Sequence, residues 1–303
     1  MRTGEYLDLW METYVIPKRA PSTAACYRRA IAAFPPQLLN MELEQLNGLH
    51  IQAALNRKES KHPRAAQLMY ATLNCAMSRA VRLRLIRYSP MDGVDKPAHK
   101  PRKTAVLSAD ELARYLVAAK SSDHYPLLLL MATCGLRRGE ALGATWAAIT
   151  GDELHITQQR QKAAGKLATR PLKSESSNRV IPLPSAVLAE LRAWPHRSLA
   201  GWILDTTPDK LYKAHLKVIA WAQLPKISLH GLRHSMAAAM AADGTPIKIL
   251  QGILGHSHYQ LTADLYADHI RSDAYRADLE RLSGRVLFGI GCQGTGNQGG
   301  VRV

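Results

Sequence analysis

Residues 228–269 constrain the fold of this chain more than any other stretch, because helix signals in them place polar side chains at helix ends. Residues 231–242 have an Ala- and Met-rich helical pattern that stops at an Asp-Gly pair. Thr245 as N-cap and Pro246 as first helical residue begin a second helix, whose apolar stripe stops at a glycine. A third, short helix is expected at 261–266. Three helix ends therefore converge near four polar side chains: His230, Arg233, His256 and Tyr266.

Two interpretations of this polar cluster are open. Histidine and arginine near helix ends often bind the last carbonyls, and a tyrosine beside Leu265 is usually part of the core or the surface. A tyrosine together with an arginine and two histidines is also suited to chemistry on a phosphate. Each residue alone favours the structural interpretation, whereas the four together favour a catalytic one.

The charge of the chain indicates a polyanionic partner. The sequence has 40 Lys and Arg against 24 Asp and Glu, a formal net charge of +16. Fifteen basic and eight acidic residues fall within 1–100, so the excess extends over both halves. Nucleic acid fits such a distribution, because each phosphate contact releases counterions. A merely basic protein remains the alternative on charge alone.

Several classes of site and location are disfavoured by composition. Cys26, Cys75, Cys134 and Cys292 form no C-x-x-C pair, which argues against a zinc site and a disulfide framework. The longest apolar run, 126–132, is too short to span a bilayer, and the N-terminus does not resemble a secretory signal. We therefore expect no membrane contact, a cytoplasmic location in a bacterial or phage-infected cell, and association with the nucleoid.

Residues 1–95 have the pattern of a helical domain without strands. Helices are predicted at 6–14, at 46–55, and from a Ser22-Thr23 cap through Phe34; the longest is predicted at 64–87. Basic side chains crowd two of these helices and are our candidates for DNA contact, although a solvated helix face is the usual explanation. The candidates are Arg28, Arg29, Arg79, Arg82 and Arg84.

A basic, proline-bearing linker at 96–106 follows, and its Arg102 and Lys103 are further candidates for DNA contact. Ser108 and Glu111 have the spacing of a capping box, so a second domain is expected to begin near Leu107.

The second half combines helices with a few strands. A buried helix is predicted at 126–134, followed by Arg137 and Glu140 and a new helix that carries Leu142 and Trp146. Alternating apolar residues between 153 and 183 predict a small antiparallel sheet with long polar turns.

Further elements are expected after the sheet. Lys173 lies in the last turn before the strand RVIPLP. Helices are expected from a Ser185 cap, at 208–221 and at 272–287, and the Gly-rich tail 289–303 is expected to be disordered.

The motifs of this second half resemble the catalytic domain of the tyrosine recombinase (phage integrase) family. GLRRGEAL is similar to the family's first arginine box, which assigns a catalytic role to Arg137 and a supporting role to Glu140. HGLRH corresponds to the family's His-x-x-Arg box and gives His230 and Arg233.

Two further motifs complete the resemblance. LGHSHYQLTADLY supplies His256 and, ten residues on, the nucleophile Tyr266. Lys173 matches the family's β-hairpin lysine, with Lys162 and Lys166 as open alternatives.

The resemblance implies a mainly α fold with a small antiparallel β-sheet (α+β), in which two domains form a C-shaped clamp around DNA. The expected divisions are a helical core-binding (SAM-like) DNA-binding domain at 1–95, a linker at 96–106, a catalytic tyrosine recombinase domain at 107–288 and a tail at 289–303. The chain begins almost directly at the core-binding region, so no further domain for arm-type DNA sites is expected in it; truncation and original absence are both open.

The implied activity is site-specific cleavage and rejoining of DNA strands through a 3′-phosphotyrosine, with no metal, ATP or other cofactor. Tyr266 would attack the phosphorus, with His230 assisting its deprotonation and His256 donating to a non-bridging oxygen. The two arginines would stabilise the charge of the transition state, and Lys173 would protonate the departing 5′ oxygen.

The implied partners are double-stranded DNA with inverted-repeat core sites, three further copies of the chain in a homo-tetramer on two duplexes, and a host DNA-bending or directionality factor. Integration or excision of a phage or other mobile element is the favoured role, and a dimer-resolving or inverting recombinase is the alternative. A type IB topoisomerase and a non-catalytic DNA-binding regulator are rival interpretations.

Overall fold

The computed structural model describes residues 1–98, 105–163, 166–172, 177–195 and 200–255. Two compact units divide the chain between Lys103 and Thr104. Outside the described residues lie Arg102, Lys103, Lys173, His256, Tyr266, the helix expected at 272–287 and the tail 289–303. The expectations for these residues stay predictions.

The first unit consists of helices, with no strand among its described residues. The α-helices are α1 (Thr3–Trp10), α2 (Pro21–Ala32), α3 (Pro36–Leu39), α4 (Gly48–Glu59) and α5 (Pro63–Arg82). A π-helix, Met11–Val15, continues α1, and a 3₁₀ turn covers Leu43–Gln45. Their apolar faces share one core that includes Tyr6, Leu7, Trp10, Ile51, Leu55, Met69, Leu73 and Met77.

The longest helix, α5, ends earlier than the sequence pattern predicts. One face of α5 is buried through Met69, Leu73 and Met77, in agreement with the apolar periodicity. Helical geometry stops at Arg82, and Arg84 has a left-handed backbone with φ of 58°. The predicted end at Arg87 is therefore wrong, because a residue at positive φ cannot continue a right-handed helix.

Two other helix starts in this unit differ from the prediction. The helix α2 begins at Pro21 after Ala20, so the Ser22-Thr23 cap is wrong; proline is favoured at the first helical position because its missing N–H is not needed there. The helix α4 begins at Gly48 rather than at residue 46, because the Asn47 side chain caps it by accepting a bond from the His50 N–H.

The second unit adds helices to two small sheets. Its α-helices are α6 (Ala109–Ala119), α7 (Tyr125–Thr133), α8 (Arg138–Gly143), α9 (Ser185–Arg192), α10 (Pro208–Trp221), α11 (Leu229–Ala242) and α12 (Ile247–Leu254). The Ser108 capping box that opens α6 is confirmed, since Ser108 and Glu111 each accept the other's backbone N–H. None of the described helices is long and apolar enough to cross a bilayer.

The region of strands forms two antiparallel sheets instead of one sheet with long turns. The strands β1 (Ile149–Thr150), β2 (Glu153–Ile156) and β5 (Arg179–Pro182) form a sheet in the order β1-β2-β5. The strands β3 (Gln158–Ala163) and β4 (Lys166–Pro171) form a separate hairpin with Arg160 opposite Thr169. The prediction of a polar turn over 158–171 is therefore wrong. The sequence pattern missed these strands because both faces of the hairpin are rich in polar residues and carry no apolar alternation.

Three helices of this unit also differ from the prediction. Arg137 is the N-cap of α8, and Trp146 lies in a separate 3₁₀ turn, Trp146–Ala148, rather than in the same helix as predicted. The N-cap positions of α9 and α12 are Pro184 and Pro246, each displaced by one residue from the predicted caps Ser185 and Thr245. Neither proline donates a backbone bond, and both lie in the extended conformation that precedes the first helical residue.

The helix α7 lies at the centre of the second core. Leu127, Leu128 and Leu130 are fully buried, which confirms the prediction of a buried helix. The helices α6, α9 and α11 all pack against α7. The helix α7 ends at Thr133, and Gly135 follows with a φ of +65°. A Cβ built at Gly135 would meet Met236 of α11 and Leu254 of α12, so the chain passes closely between these two helices.

Candidate active site at the end of α12

Arg137 and Glu140 lie in the first turn of α8. The Glu140 carboxylate accepts the Arg137 backbone N–H at 2.9 Å and the Arg137 Nη1 at 2.7 Å. Glu140 is 2% exposed, whereas the Arg137 side chain keeps 34% of its surface exposed. The buried acid therefore orients a guanidinium that solvent can still reach.

Arg233 is buried one helical turn after His230 on α11. Ser228 caps this helix by accepting the Gly231 N–H, which places both residues in its first turns. The Arg233 Nη1 donates to the Gly135 carbonyl at 2.6 Å, and its Nη2 donates to the Leu254 carbonyl. Its buried Nε–H has no partner among the described residues.

Burial, followed by the charge of nearby Arg137, lowers the pKa of Arg233 to about 9. This value is still above neutral pH, so Arg233 remains a cation in the interior. Burying a charge is costly unless it is bound by polar groups. The two backbone carbonyls that it binds offset part of that cost, and one donor stays unused.

Three arginines bind three consecutive carbonyls at the end of α12. Arg179 Nε donates to Ile253 at 2.7 Å, Arg233 donates to Leu254, and Arg137 Nη2 donates to Gly255 at 3.0 Å. Gly255 ends the helix with a φ of 59°, as the sequence predicts. We call Arg137, Arg179 and Arg233 the arginine cluster. The structural interpretation of arginines near helix ends is therefore correct for these contacts, and the catalytic interpretation stays a prediction.

Arg179 is the member of the arginine cluster that the sequence prediction missed. It begins β5, and its side chain is 6% exposed. On this strand Val180 is 46% exposed and Ile181 is 3% exposed, so Arg179 projects to the same side as buried Ile181. The sequence signal for Arg179 is its position in RVIP, where the alternation of a strand places a charged side chain on the same face as the buried Ile181.

The Glu140 carboxylate is held as an anion. Burial alone raises its pKa, but the hydrogen bonds and charge of Arg179, together with the bonds from Arg137, outweigh burial and bring the pKa of Glu140 to about 2. Glu140 is thus ionised at neutral pH and forms ion pairs with both arginines.

His230 is neutral at neutral pH. The residue is exposed, yet protein around the ring removes part of its hydration. This desolvation, followed by the charges of His234 and Arg233, lowers the pKa of His230 to about 4. The two histidine rings meet edge to face with centroids 4.5 Å apart. A neutral imidazole keeps one ring nitrogen as an acceptor, which is what a general base requires.

Among the described residues, the predicted site is thus represented by Arg137, Glu140, His230 and Arg233. The structure describes both alternatives to Lys173: Lys162 on β3 pairs with Asp209 at 3.3 Å, and Lys166 begins β4.

No group of three or more metal-binding side chains occurs in the part of the chain that the structure describes.

Three of the basic residues predicted to contact DNA line two recesses of the first unit. Arg79 and Arg82 line one recess beside Trp10 and Tyr14, and the Arg79 guanidinium lies 4.6 Å from the centre of the Tyr14 ring. Arg29 lines the second recess with Lys58, Lys61, Arg64 and Lys96. Arg28, Arg82 and Arg84 are exposed.

Solved structures with the same fold are integrases bound to DNA. The Tn1549 transposon integrase, in complex with a circular intermediate DNA, superimposes with a TM-score of 0.76 at 18% identity, over 93% of this chain and 99% of that chain. A lambda integrase tetramer bound to a Holliday junction gives a TM-score of 0.69 at 19% identity, over 90% and 79%. The mainly α fold with small antiparallel sheets is confirmed.

Sequence comparison identifies the family. A curated relative, the tyrosine recombinase XerC-like protein of Caldanaerobacter subterraneus subsp. tengcongensis, is 23% identical, covering 87% of this chain and 78% of that protein. The model of the phage integrase family matches residues 105–272, and that of the phage integrase N-terminal SAM-like domain matches residues 4–58. The chain belongs to the phage integrase family, the tyrosine recombinases, whose members are site-specific recombinases.

Proposed function

We propose that this chain cleaves and rejoins DNA strands at a specific site through a covalent 3′-phosphotyrosine. The residues assigned to this reaction are Arg137, Lys173, His230, Arg233, His256 and the nucleophile Tyr266, with Glu140 in support. No metal or nucleotide is needed for it, because the energy of the broken phosphodiester is kept in the tyrosyl ester.

One observation carries the proposal: Arg137 and Arg233, from motifs far apart in the chain, donate to the adjacent carbonyls of Gly255 and Leu254. Their guanidinium groups are therefore neighbours. The two residues whose carbonyls they bind come immediately before His256 in the sequence. Guanidinium is planar and always charged, and it offers paired donors to phosphate oxygens. The unpartnered Nε–H of Arg233 is a buried donor that an anionic ligand would satisfy.

The chemistry follows from this charge. Attack of the Tyr266 oxygen on phosphorus forms one P–O bond and breaks the bond to the 5′ oxygen, while negative charge grows on the non-bridging oxygens. His230 takes the phenolic proton, His256 donates to a non-bridging oxygen, and Lys173 protonates the 5′ oxygen. A 5′-hydroxyl from a second duplex then reverses the steps and restores the tyrosine.

DNA contact by the first unit is part of the proposal. Arg28, Arg29, Arg79, Arg82 and Arg84, together with Arg102 and Lys103 of the linker, would bind backbone phosphates. Its support is the exposure of Arg28, Arg29, Arg82 and Arg84 and the net charge of +16. We further propose the division into a core-binding domain at 1–95, a linker at 96–106, a catalytic domain at 107–288 and a tail at 289–303.

The biological role that we favour is integration or excision of a mobile element by a homo-tetramer on two duplexes. Its support is the shared fold with the Tn1549 and lambda integrases, the second of which was solved as a tetramer on a Holliday junction. Resolution of replicon dimers or inversion of a DNA segment is the alternative. Joining of two separate DNA molecules that each carry one site, in a purified reaction, supports integration; reaction only between two sites on one molecule supports resolution.

The nucleophile can be tested with a nicked duplex that carries the site found by footprinting DNA beside the gene. Wild-type protein should form a covalent adduct on it, and Tyr266→Phe should bind the duplex without forming one. Tyr259→Phe, in the same segment, is the matched control and should react like the wild type. An adduct with Tyr266→Phe would overturn the assignment, and relaxation of supercoils without strand exchange would favour a topoisomerase.

A further inference from the structure

We propose that Arg179 is a positioning residue for strand cleavage: by binding the Glu140 carboxylate and the Ile253 carbonyl together, it orients Arg137 and fixes the end of α12. The inference rests on the proposed function, since the reaction it serves is the one assigned above. Arg179 lies at the start of β5, outside the motifs that predict the site.

The first step is the saturation of the Glu140 carboxylate. Its Oε1 accepts Arg137 Nη1 at 2.7 Å and Arg179 Nη1 at 3.2 Å, and its Oε2 accepts the Arg137 N–H at 2.9 Å and Arg179 Nη2 at 2.8 Å. A carboxylate offers about four acceptor positions, and all four are used. Glu140 cannot rotate without breaking bonds to both arginines, so Arg179 fixes the acid that directs Arg137.

The second step is the link to α12. The same Arg179 side chain donates from Nε to Ile253 at 2.7 Å and from Nη1 to Ser177 at 3.2 Å. A Cβ built at Gly255 would lie 3.0 Å from the Arg179 Cδ, so the helix end rests directly on this side chain. Arg179 therefore contacts both the acid that orients the Arg137 guanidinium and the end of α12.

The third step separates positioning from catalysis. The Arg179 side chain is 6% exposed, against 34% for Arg137. Its donors already bind Glu140, Ile253 and Ser177, so Arg179 is a poor candidate for direct contact with phosphate. A residue that acts through Arg137 should affect the rate of the chemical step more than the affinity for DNA.

The experiment compares Arg179→Met, Arg179→Lys and the control Arg192→Met on the nicked duplex. Arg192 is an exposed arginine of the same unit that donates to the Gly151 carbonyl. At saturating DNA, Arg179→Met should slow adduct formation on the order of 100-fold, as expected for a displaced catalytic group. Its Kd for the duplex should change by less than about threefold, and Arg192→Met should change neither quantity.

A double-mutant cycle distinguishes positioning from a general loss of stability. If Arg179 acts through Glu140, Arg179→Met should slow the reaction much less in a Glu140→Gln background than in the wild type. Additive effects on rate would overturn the proposal, as would parallel losses of rate and affinity. Arg179→Lys tests the same point if Arg179→Met folds poorly, because lysine keeps the charge but lacks the planar pair of donors. The rate of adduct formation by Arg179→Lys should fall between the rates of the wild type and of Arg179→Met.

The proposed function can fail separately. A wild-type protein that binds its duplex without forming an adduct would overturn the proposed function alone. The Arg179 contact is then tested by following the Glu140 carboxyl by NMR during an acid titration: its pKa should rise in Arg179→Met and stay unchanged in Arg192→Met. An unchanged pKa in Arg179→Met would overturn the inference.

Discussion

Glu140 is the residue whose environment determines the geometry of the candidate site. It is a buried acid with hydrogen bonds from two arginines on different elements, Arg137 on α8 and Arg179 on β5. Since it is 2% exposed, a protonated Glu140 would leave two guanidinium groups without their counter-charge.

We expect Glu140 to make the free energy of unfolding of the second unit depend on pH. A carboxyl whose pKa is about 2 in the folded chain and near 4.5 in the unfolded one contributes stability fully above about pH 4.5 and loses it as the pH falls toward 2. The difference corresponds to about 3 kcal/mol. Glu140→Gln should therefore be less stable than the wild type at pH 7, by roughly that amount, in urea unfolding.

The difference in free energy of unfolding between the wild type and Glu140→Gln should narrow as the pH falls from 4.5 toward 2, since the wild-type carboxyl becomes neutral as well. Glu153→Gln, which removes a carboxylate with 54% of its surface exposed, is the control and should be nearly neutral throughout. A gap that stays constant with pH would contradict the role assigned to the Glu140 charge.

At this scale the sequence predicts residue types better than their partners. Arg137, Glu140, His230 and Arg233 can be found from motifs, because each motif lies on one local element. Arg179 could be found only through the direction in which its strand faces. The three carbonyls of α12 could not be found, because backbone acceptors have no sequence signature.

The pairing of α8 with β3 is the element-scale feature that supports this site. Gly143, in the last turn of α8, approaches the hairpin so closely that an added Cβ would lie 2.9 Å from the Gln159 Cα and 3.1 Å from the Arg160 nitrogen. Both of those atoms belong to the backbone of β3, which cannot move aside as a side chain can.

Gly143→Ala should push α8 away from β3 and destabilise the second unit by about 1–3 kcal/mol, the usual cost of overpacking. The control is Gly252→Ala on α12, where an added Cβ meets nothing within 4 Å. That substitution should stabilise by up to about 1 kcal/mol through helix propensity. Thermal unfolding of both variants measures the contrast, and equal effects would mean that the close approach has no energetic role.

Helices were easier to predict than strands for a physical reason. The apolar faces of α5 and α7 repeat over several turns, and capping signals such as Ser108 mark their starts. The hairpin β3–β4 has no apolar alternation, because it is stabilised by pairing and by surface contacts such as Arg160 with Asp205 at 2.8 Å. Periodicity cannot detect an element that is polar on both faces.

At the scale of the molecule, each unit has its own hydrophobic core. The first core draws its buried residues from between Tyr6 and Val94, and the largest core of the second unit draws its own from between Leu107 and Leu232. From the sequence, the prolines and basic residues at 96–106 predict a linker between two domains, because linkers have a distinctive composition.

We expect the two units to fold independently when the chain is divided after Lys103. Residues 1–103 expressed alone should give a helical circular dichroism spectrum and a cooperative thermal transition, since their core is complete without the second unit. The matched fragment 104–303 is the companion measurement. A first fragment without cooperative unfolding would show that its core depends on the rest of the chain.

The arginine cluster also has a consequence for the free protein as a whole. Among the described residues, two of its three guanidinium groups, those of Arg137 and Arg179, form ion pairs, and both pair with the single carboxylate of Glu140. The folded second unit therefore encloses repelling cations that the unfolded chain would disperse in water. A bound anion removes that repulsion only in the folded state, so by mass action DNA becomes a folding ligand as well as a substrate. Sulfate or phosphate ions at this position would stabilise the empty enzyme in the same way.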